Sequence, residues 1–198
     1  HGIGDWSYED FARLMRTGVT KAGYTVYPAM PYPSYSRLTD EDMQALYAYF
    51  TKAVPPSAQA NRANDIPWPL SMRWPLAIWN LLFHDDSVYQ PNPKQSPAWN
   101  RGAYLVQGLA HCGTCHTPRG MAFQEKAMDE RSTGFLSGAA LGGWYAFNIT
   151  PDTHSGIGGW SDAEIVQYLK SGRVPGKAQA AGPMAEAVEH SFQYMTDA

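Results

Sequence analysis

Polar and apolar positions follow a helical period in five stretches, each with its own start or stop signal. Ser7 precedes the amphipathic run Tyr8-Glu-Asp-Phe-Ala-Arg-Leu-Met-Arg-Thr17, closed by Gly18. Ser161 precedes Asp162-Ala-Glu-Ile-Val-Gln-Tyr-Leu-Lys-Ser171, closed by Gly172. Serine before and glycine after are helix caps: the hydroxyl accepts a free first-turn N–H, and glycine enters the left-handed stop without a Cβ clash. Residues 41–52 predict a third helix with Met43, Leu46, Tyr47 and Phe50 on or near one face. A fourth spans 96–110, with Ser96 as cap, Pro97 at the first position, and Tyr104, Leu105, Gly108 and Leu109 on one side. The fifth, about 76–83, is short. It lies in a stretch broken by Pro55, Pro56, Pro67, Pro69, Pro75, Pro91 and Pro93, with Trp68, Trp74 and Trp79 between them. The pattern predicts an all-α chain with an ordered Pro/Trp-rich connector over 55–95. The connector's Trp and Leu content suggests a surface for a partner subunit or a membrane interface, against simple packing between domains, which is slightly preferred.

The first two helices belong to a repeat. Gly2-Ile-Gly-Asp-Trp6-Ser7 recurs as Gly156-Ile-Gly-Gly-Trp160-Ser161, and Trp6 to Trp160 and Gly18 to Gly172 keep one offset, 154 residues. The same offset pairs Met30 with Met184, and a slightly longer one, 157, pairs Leu38-Thr39-Asp40 with Met195-Thr196-Asp197. The first copy then runs on into the 41–52 helix, whereas Ala198 falls where the second copy's counterpart should begin.

Composition narrows the classes. The 198 residues carry 15 Lys and Arg against 18 Asp and Glu, a formal charge of −3, with no basic cluster, which argues against nucleic acid as the partner. Gly and Pro, 18 and 15 residues, are plentiful for a helical globule and suggest long loops wrapped around something. The longest apolar run, Trp74 to Phe83, is ten residues, against roughly 20 for a bilayer span. His1-Gly2-Ile3 shows no charged or apolar leader, so either a signal was removed or the chain is a fragment.

The two cysteines fall in Cys112-Gly-Thr-Cys115-His116, the C-x-x-C-H attachment signature of c-type haem. The thiols can form thioethers while the imidazole ligates iron from one side. With no other cysteine, a zinc site and a disulfide framework lack material, and a thioredoxin-like pair wants a βαβ setting, whereas 99–110 reads as helix. A low-spin haem wants a second strong ligand, and methionine is the one that raises the potential. Met184 is preferred among the eight methionines because it shares register with Met30 and sits in a Pro-flanked loop. Met195, Met121 and Met128 are the fallbacks, and His84, His111, His154 and His190 compete only if Met184 fails. Met30 is assigned to a haem whose own attachment motif would lie before residue 1. Pro118 offers a carbonyl to the ring N–H of His116 or simply turns the chain; Trp6 and Trp160 offer indole N–H groups to haem propionates or close a Gly-rich turn. Asn148, Thr150 and Arg119 are further propionate candidates, each also readable as a solvated loop residue.

Trp99-Asn-Arg-Gly-Ala-Tyr-Leu-Val106, His111-Cys-Gly-Thr-Cys-His-Thr-Pro-Arg119, Phe147-Asn-Ile-Thr-Pro-Asp152, Gly156-Ile-Gly-Gly-Trp-Ser161, Tyr27-Pro-Ala-Met-Pro-Tyr-Pro-Ser-Tyr35 and the connector Asn61-Arg-Ala-Asn-Asp-Ile-Pro-Trp-Pro-Leu70 together resemble the triple-haem cytochrome c subunits of bacterial membrane-bound, quinone-linked dehydrogenases of alcohol, gluconate, sorbitol, fructose and aldehyde. The resemblance implies tandem cytochrome c-like domains: 1–54 the C-terminal part of a first, 55–95 the connector, and 96–198 a second lacking its C-terminal helix. It implies haem c, a periplasmic setting on the inner membrane through parts not in this chain, a catalytic dehydrogenase subunit as partner, and ubiquinone or an oxidase as acceptor. The chain itself would be a non-catalytic electron-transfer subunit. The family carries three attachment motifs and this chain has one, in agreement with a truncated first domain. The alternatives are a catalytic single-haem cytochrome of peroxidase type and a haem-free structural fragment.

Overall fold

The computed structural model describes residues 2–196, so Asp197, the last member of the 157-residue pairing, lies outside the described residues. The chain divides into two compact units, His1–Phe135 and Leu136–Ala198.

The first unit is helical: α1 (Tyr8–Thr17), α2 (Tyr32–Tyr35), α3 (Asp40–Ala48), α4 (Pro75–Phe83), α5 (Pro97–Tyr104) and α6 (Gly113–His116). α3 and α5 each run on into a five-residue π-helical turn, Tyr49–Ala53 and Leu105–Leu109. The start of α1 is held reciprocally: Asp10 N–H donates to Ser7 Oγ, and Ser7 N–H donates to the Asp10 carboxylate. Phe11, Met15, Leu38, Met43 and Tyr104 form the core, with Met30, Tyr47 and Leu109 packed against it. Tyr104 and Leu109, from the helix that leads to the cysteine motif, thus complete the core of the first repeat copy.

Helix α4 turns its polar residues inward. Asn80 donates to the Thr17 carbonyl at 2.8 Å and accepts from Tyr32 Oη at 2.6 Å, and His84 Nε2 donates to the Arg16 carbonyl at 2.7 Å. Trp74, Ile78, Leu81 and Leu82, at helical spacings of four, three and one, are exposed.

The second unit holds a hairpin of β1 (Ala139–Leu141) and β2 (Trp144–Ala146), then α7 (Asp162–Ser171), a ribbon of β3 (Arg173–Val174) and β4 (Ala178–Gln179), and α8 (Pro183–His190) with a 3₁₀ turn, Phe192–Tyr194. The molecule is therefore mostly helical, with short antiparallel strands that the helical periodicity did not predict. The first hairpin had a readable signal, Gly142-Gly143 between Ala-Ala-Leu and Trp-Tyr-Ala: both glycines have positive φ, 53° and 88°, as a two-residue turn demands.

The repeat is structural. α7 opens on the same reciprocal cap, Ser161 with Glu164, and closes on Gly172 at φ 70°, matching Gly18 at φ 72°. The bridge Val19–Thr25 has its counterpart in Arg173–Gln179, and the Gly18 and Gly172 carbonyls accept from Val26 and Ala180 N–H at 2.8 and 2.7 Å. The copies then part. Met30 sits in a turn before α2, its N–H donating to the Tyr27 carbonyl, whereas Met184 lies in the first turn of α8 rather than in the loop its proline neighbour suggested. Proline fits there because the first helical turn has no partner for its missing N–H.

Candidate functional site

The cysteine motif is built on one tight turn. The chain leaves the π-helical turn Leu105–Leu109 through His111, a non-glycine residue at φ 38°, and Cys112 N–H donates back to the Val106 carbonyl at 3.0 Å. His116 N–H then donates to the Cys112 carbonyl at 2.9 Å. Positions i, i+3 and i+4 of a helical turn share a face, so the turn gathers the Cys112 thiol, the Cys115 thiol and the His116 imidazole on one side. Neither thiol is in a disulfide. Burial pushes the Cys112 thiol up to about 11 and raises that of Cys115, the reverse of the depressed thiol of a redox-active C-x-x-C pair. Among the described residues no group of three or more His, Cys, Asp or Glu side chains could hold a bare metal ion. Two adjacent unpaired thiols and an imidazole on one turn fit a ring attached twice and ligated once.

Behind the turn lies a bracing network that the sequence did not disclose. Arg119 donates from Nη2 to the Thr114 carbonyl and from Nη1 to the Phe123 carbonyl, both at 2.7 Å. Its guanidinium stands 3.9 Å from the Glu125 carboxylate, which accepts from Thr114 Oγ1 at 3.3 Å. Two of the donors of Arg119, a propionate candidate, are thus spent on its own loop. The Pro118 carbonyl accepts from Lys126 N–H at 2.9 Å, which makes it part of the same hairpin. Glu125 falls in Gln-Glu-Lys, which reads as a solvated surface; only the fold reveals its burial.

The other histidines have their own places. His111 stands edge-on to Tyr35 with ring centroids 5.7 Å apart, and burial lowers its pKa. His84 is bound to the Arg16 carbonyl, and His154 gives its backbone N–H to Asp152. His190 is the last residue of α8. Of the fallback methionines, Met121 is fully exposed and Met128 lies beside Arg119 and Glu125.

Met184, Asn148, Thr150 and Trp160 belong to the second unit. Asn148 Oδ1 accepts from Thr150 N–H at 2.8 Å and its amide donates to Ser155 Oγ at 3.0 Å, so both residues shape one loop. Gly156 and Gly158 close that loop so tightly that a Cβ on either would come within 2.2 Å of the Thr150 or Pro151 carbonyl oxygen. Trp160 packs edge-on to Tyr168 of α7 at 5.6 Å, with Lys177 Nζ 5.9 Å from its ring; Trp6 instead gives its carbonyl to Tyr47 Oη at 2.7 Å. Met184 is half-buried one turn before the buried Val188, and Gly182 ahead of it lies against the Trp144 indole.

No protein-family model matches the chain. It is 52% identical over 99% of its length to the gluconate 2-dehydrogenase cytochrome c subunit of Pantoea cypripedii, of which it covers 45%. It is 50% identical over its full length to the cytochrome c subunit of the quinone alcohol dehydrogenase of Komagataeibacter europaeus, covering 42% of it. To the fructose dehydrogenase cytochrome subunit of Gluconobacter japonicus it is 45% identical over its full length, covering 40%. The chain thus spans less than half the length of these relatives.

Proposed function

We propose that the chain, which is similar along its full length to cytochrome c subunits of gluconate, alcohol and fructose dehydrogenases, belongs to their family, carries one covalent haem c and relays electrons from a catalytic dehydrogenase subunit towards ubiquinone or a terminal oxidase. The single observation that carries this reading is the turn that sets the Cys112 and Cys115 thiols and the His116 imidazole on one face, with both thiols unpaired. When bound, haem c supplies a reversible one-electron iron couple. Cys112 and Cys115 would anchor the ring through thioethers, and His116 would ligate iron from one side. Met184 is the preferred second iron ligand; a thioether ligand favours the reduced state and so a higher potential. Asn148, Thr150 and Trp160 share the unit of Met184 and are the polar groups proposed for the propionates. Met30 is proposed as the distal ligand of a preceding haem in a longer tandem arrangement. No bond in a substrate is broken by this chain: its residues hold, orient and insulate. The setting is periplasmic, on the inner membrane through parts outside this chain. Among the described residues no helix is long and apolar enough to cross a membrane.

The test is a reduced-minus-oxidised absorption spectrum of the chain matured in an exporting bacterium, with Met184→Ala beside it. A low-spin c-type α-band that the substitution abolishes supports the assignment. A haem-free product refutes the cofactor; an α-band unchanged in the variant refutes Met184 as ligand.

A further inference from the structure

The two spacer residues of the attachment motif are both committed to one buried acid. A Cβ on Gly113 would stand 2.9 Å from Glu125 Oε2 and 3.2 Å from the Phe135 ring, so the first spacer is the residue that lets the carboxylate seat beneath the turn. The second spacer, Thr114, gives its hydroxyl to Glu125 Oε1 and its carbonyl to Arg119. Arg119 in turn faces Glu125 at 3.9 Å, and the Glu125 side chain is 8% exposed. A buried carboxylate is costly unless it is paired and hydrogen-bonded, and this one is both. Burial pushes its pKa up, while the Arg119 charge, the Thr114 hydroxyl and the charge of Arg37 oppose that push. Arg37 is itself 3.8 Å from Asp129.

We propose that Glu125 is a fixed negative charge beneath the attachment turn that sets the potential of the haem held there, with Arg119 positioning both the carboxylate and the turn. This rests on the haem reading above. A negative charge close to the iron favours the more positive, oxidised state, and a positive charge favours the reduced one. The two side chains therefore act with opposite sign.

The experiment is spectroelectrochemical titration of the haem-loaded chain. Glu125→Gln keeps shape and an acceptor but removes the charge. Its expected effect is a rise in midpoint potential, with the ferric-to-ferrous ratio at fixed potential falling about tenfold, 59 mV for a one-electron couple. Arg119→Gln, titrated at alkaline pH so that Glu125 stays ionised without the charge that opposes its upward push, should lower the midpoint. A turn that either substitution merely loosened would shift both variants the same way. Same-direction shifts, or none in either variant with the α-band intact, overturn the inference and leave the haem reading standing; a wild-type chain without haem absorbance overturns both. If Glu125→Gln does not accumulate, Arg119→Gln decides alone: a lower midpoint supports the proposal, and an equal or higher one overturns it.

Discussion

Alanine at Gly18 and at Gly172 should cost different amounts, and the difference can be worked out from the repeat itself. Both glycines end equivalent helices in the left-handed region, at φ 72° and 70°, so a side chain at either incurs the same backbone penalty, roughly 1–2 kcal/mol. The surroundings separate them. At Gly172 the new methyl would meet Ala180 Cβ at 3.3 Å and Val188 Cγ1 at 3.7 Å, contacts that small shifts can relieve. At Gly18 it would stand 2.6–2.8 Å from three atoms of the Tyr32 ring. That ring cannot swing aside: it is 0% exposed and its hydroxyl is tied to Asn80 at 2.6 Å. Forcing a methyl into such a site adds about 1–3 kcal/mol. Gly172→Ala should therefore destabilise its unit by about 1–2 kcal/mol and Gly18→Ala by about 2–5 kcal/mol. Native-state hydrogen exchange reads α1 and α7 amides separately and thus reports each unit in the same sample. Protection in α1 should fall about 5- to 150-fold further than protection in α7, the ratio that corresponds to the added 1–3 kcal/mol. Equal losses would mean that Tyr32 does not wall off Gly18, and the packing argument for the first unit would fail.

Asn80→Ala should cost about 1–3 kcal/mol in urea denaturation, because it leaves the Tyr32 hydroxyl and the Thr17 carbonyl without the partner that joins α4 to the first repeat copy; a loss below about 0.5 kcal/mol, the range of an ordinary surface substitution, would contradict it. The Asp152 carboxylate accepts from the backbone N–H groups of Ser155 and His154 and from the Ser155 hydroxyl, which hold its pKa below the usual carboxylate range. A depressed folded-state pKa adds stability that is present above the unfolded value, roughly 4, and is lost as pH falls through the folded one. Asp152→Asn should therefore flatten the acid limb of the second unit's unfolding; an unchanged acid limb in circular dichroism would refute it.

The helices and the attachment turn were legible because their signals are local. Ser7 and Ser161 cap, Gly18 and Gly172 stop, and Cys112, Cys115 and His116 share a turn by spacing alone. What escaped depends on contacts distant in sequence, or on a competing fit. Glu125 is eleven residues from Thr114 and looks solvated until the hairpin folds it under the motif. Arg119 reads from the sequence as a propionate candidate or a solvated loop residue, and the fold adds what neither reading contains, two of its donors turned onto carbonyls of its own loop.

The repeat shows where a local signal runs out. It holds through the cap, helix, stop and bridge, all of which depend on backbone conformation that serine and glycine can dictate unaided. It fails at the methionines, where Met30 packs on a core of Phe11, Met15, Leu38 and Met43 while Met184 enters a helix opened by Gly182-Pro183. Equal spacing therefore supports an equal ligand role for the two only through the chemistry of the thioether, not through equal backbone settings. For this reason the Met184→Ala spectrum, rather than the register, tests the ligand role proposed for Met184.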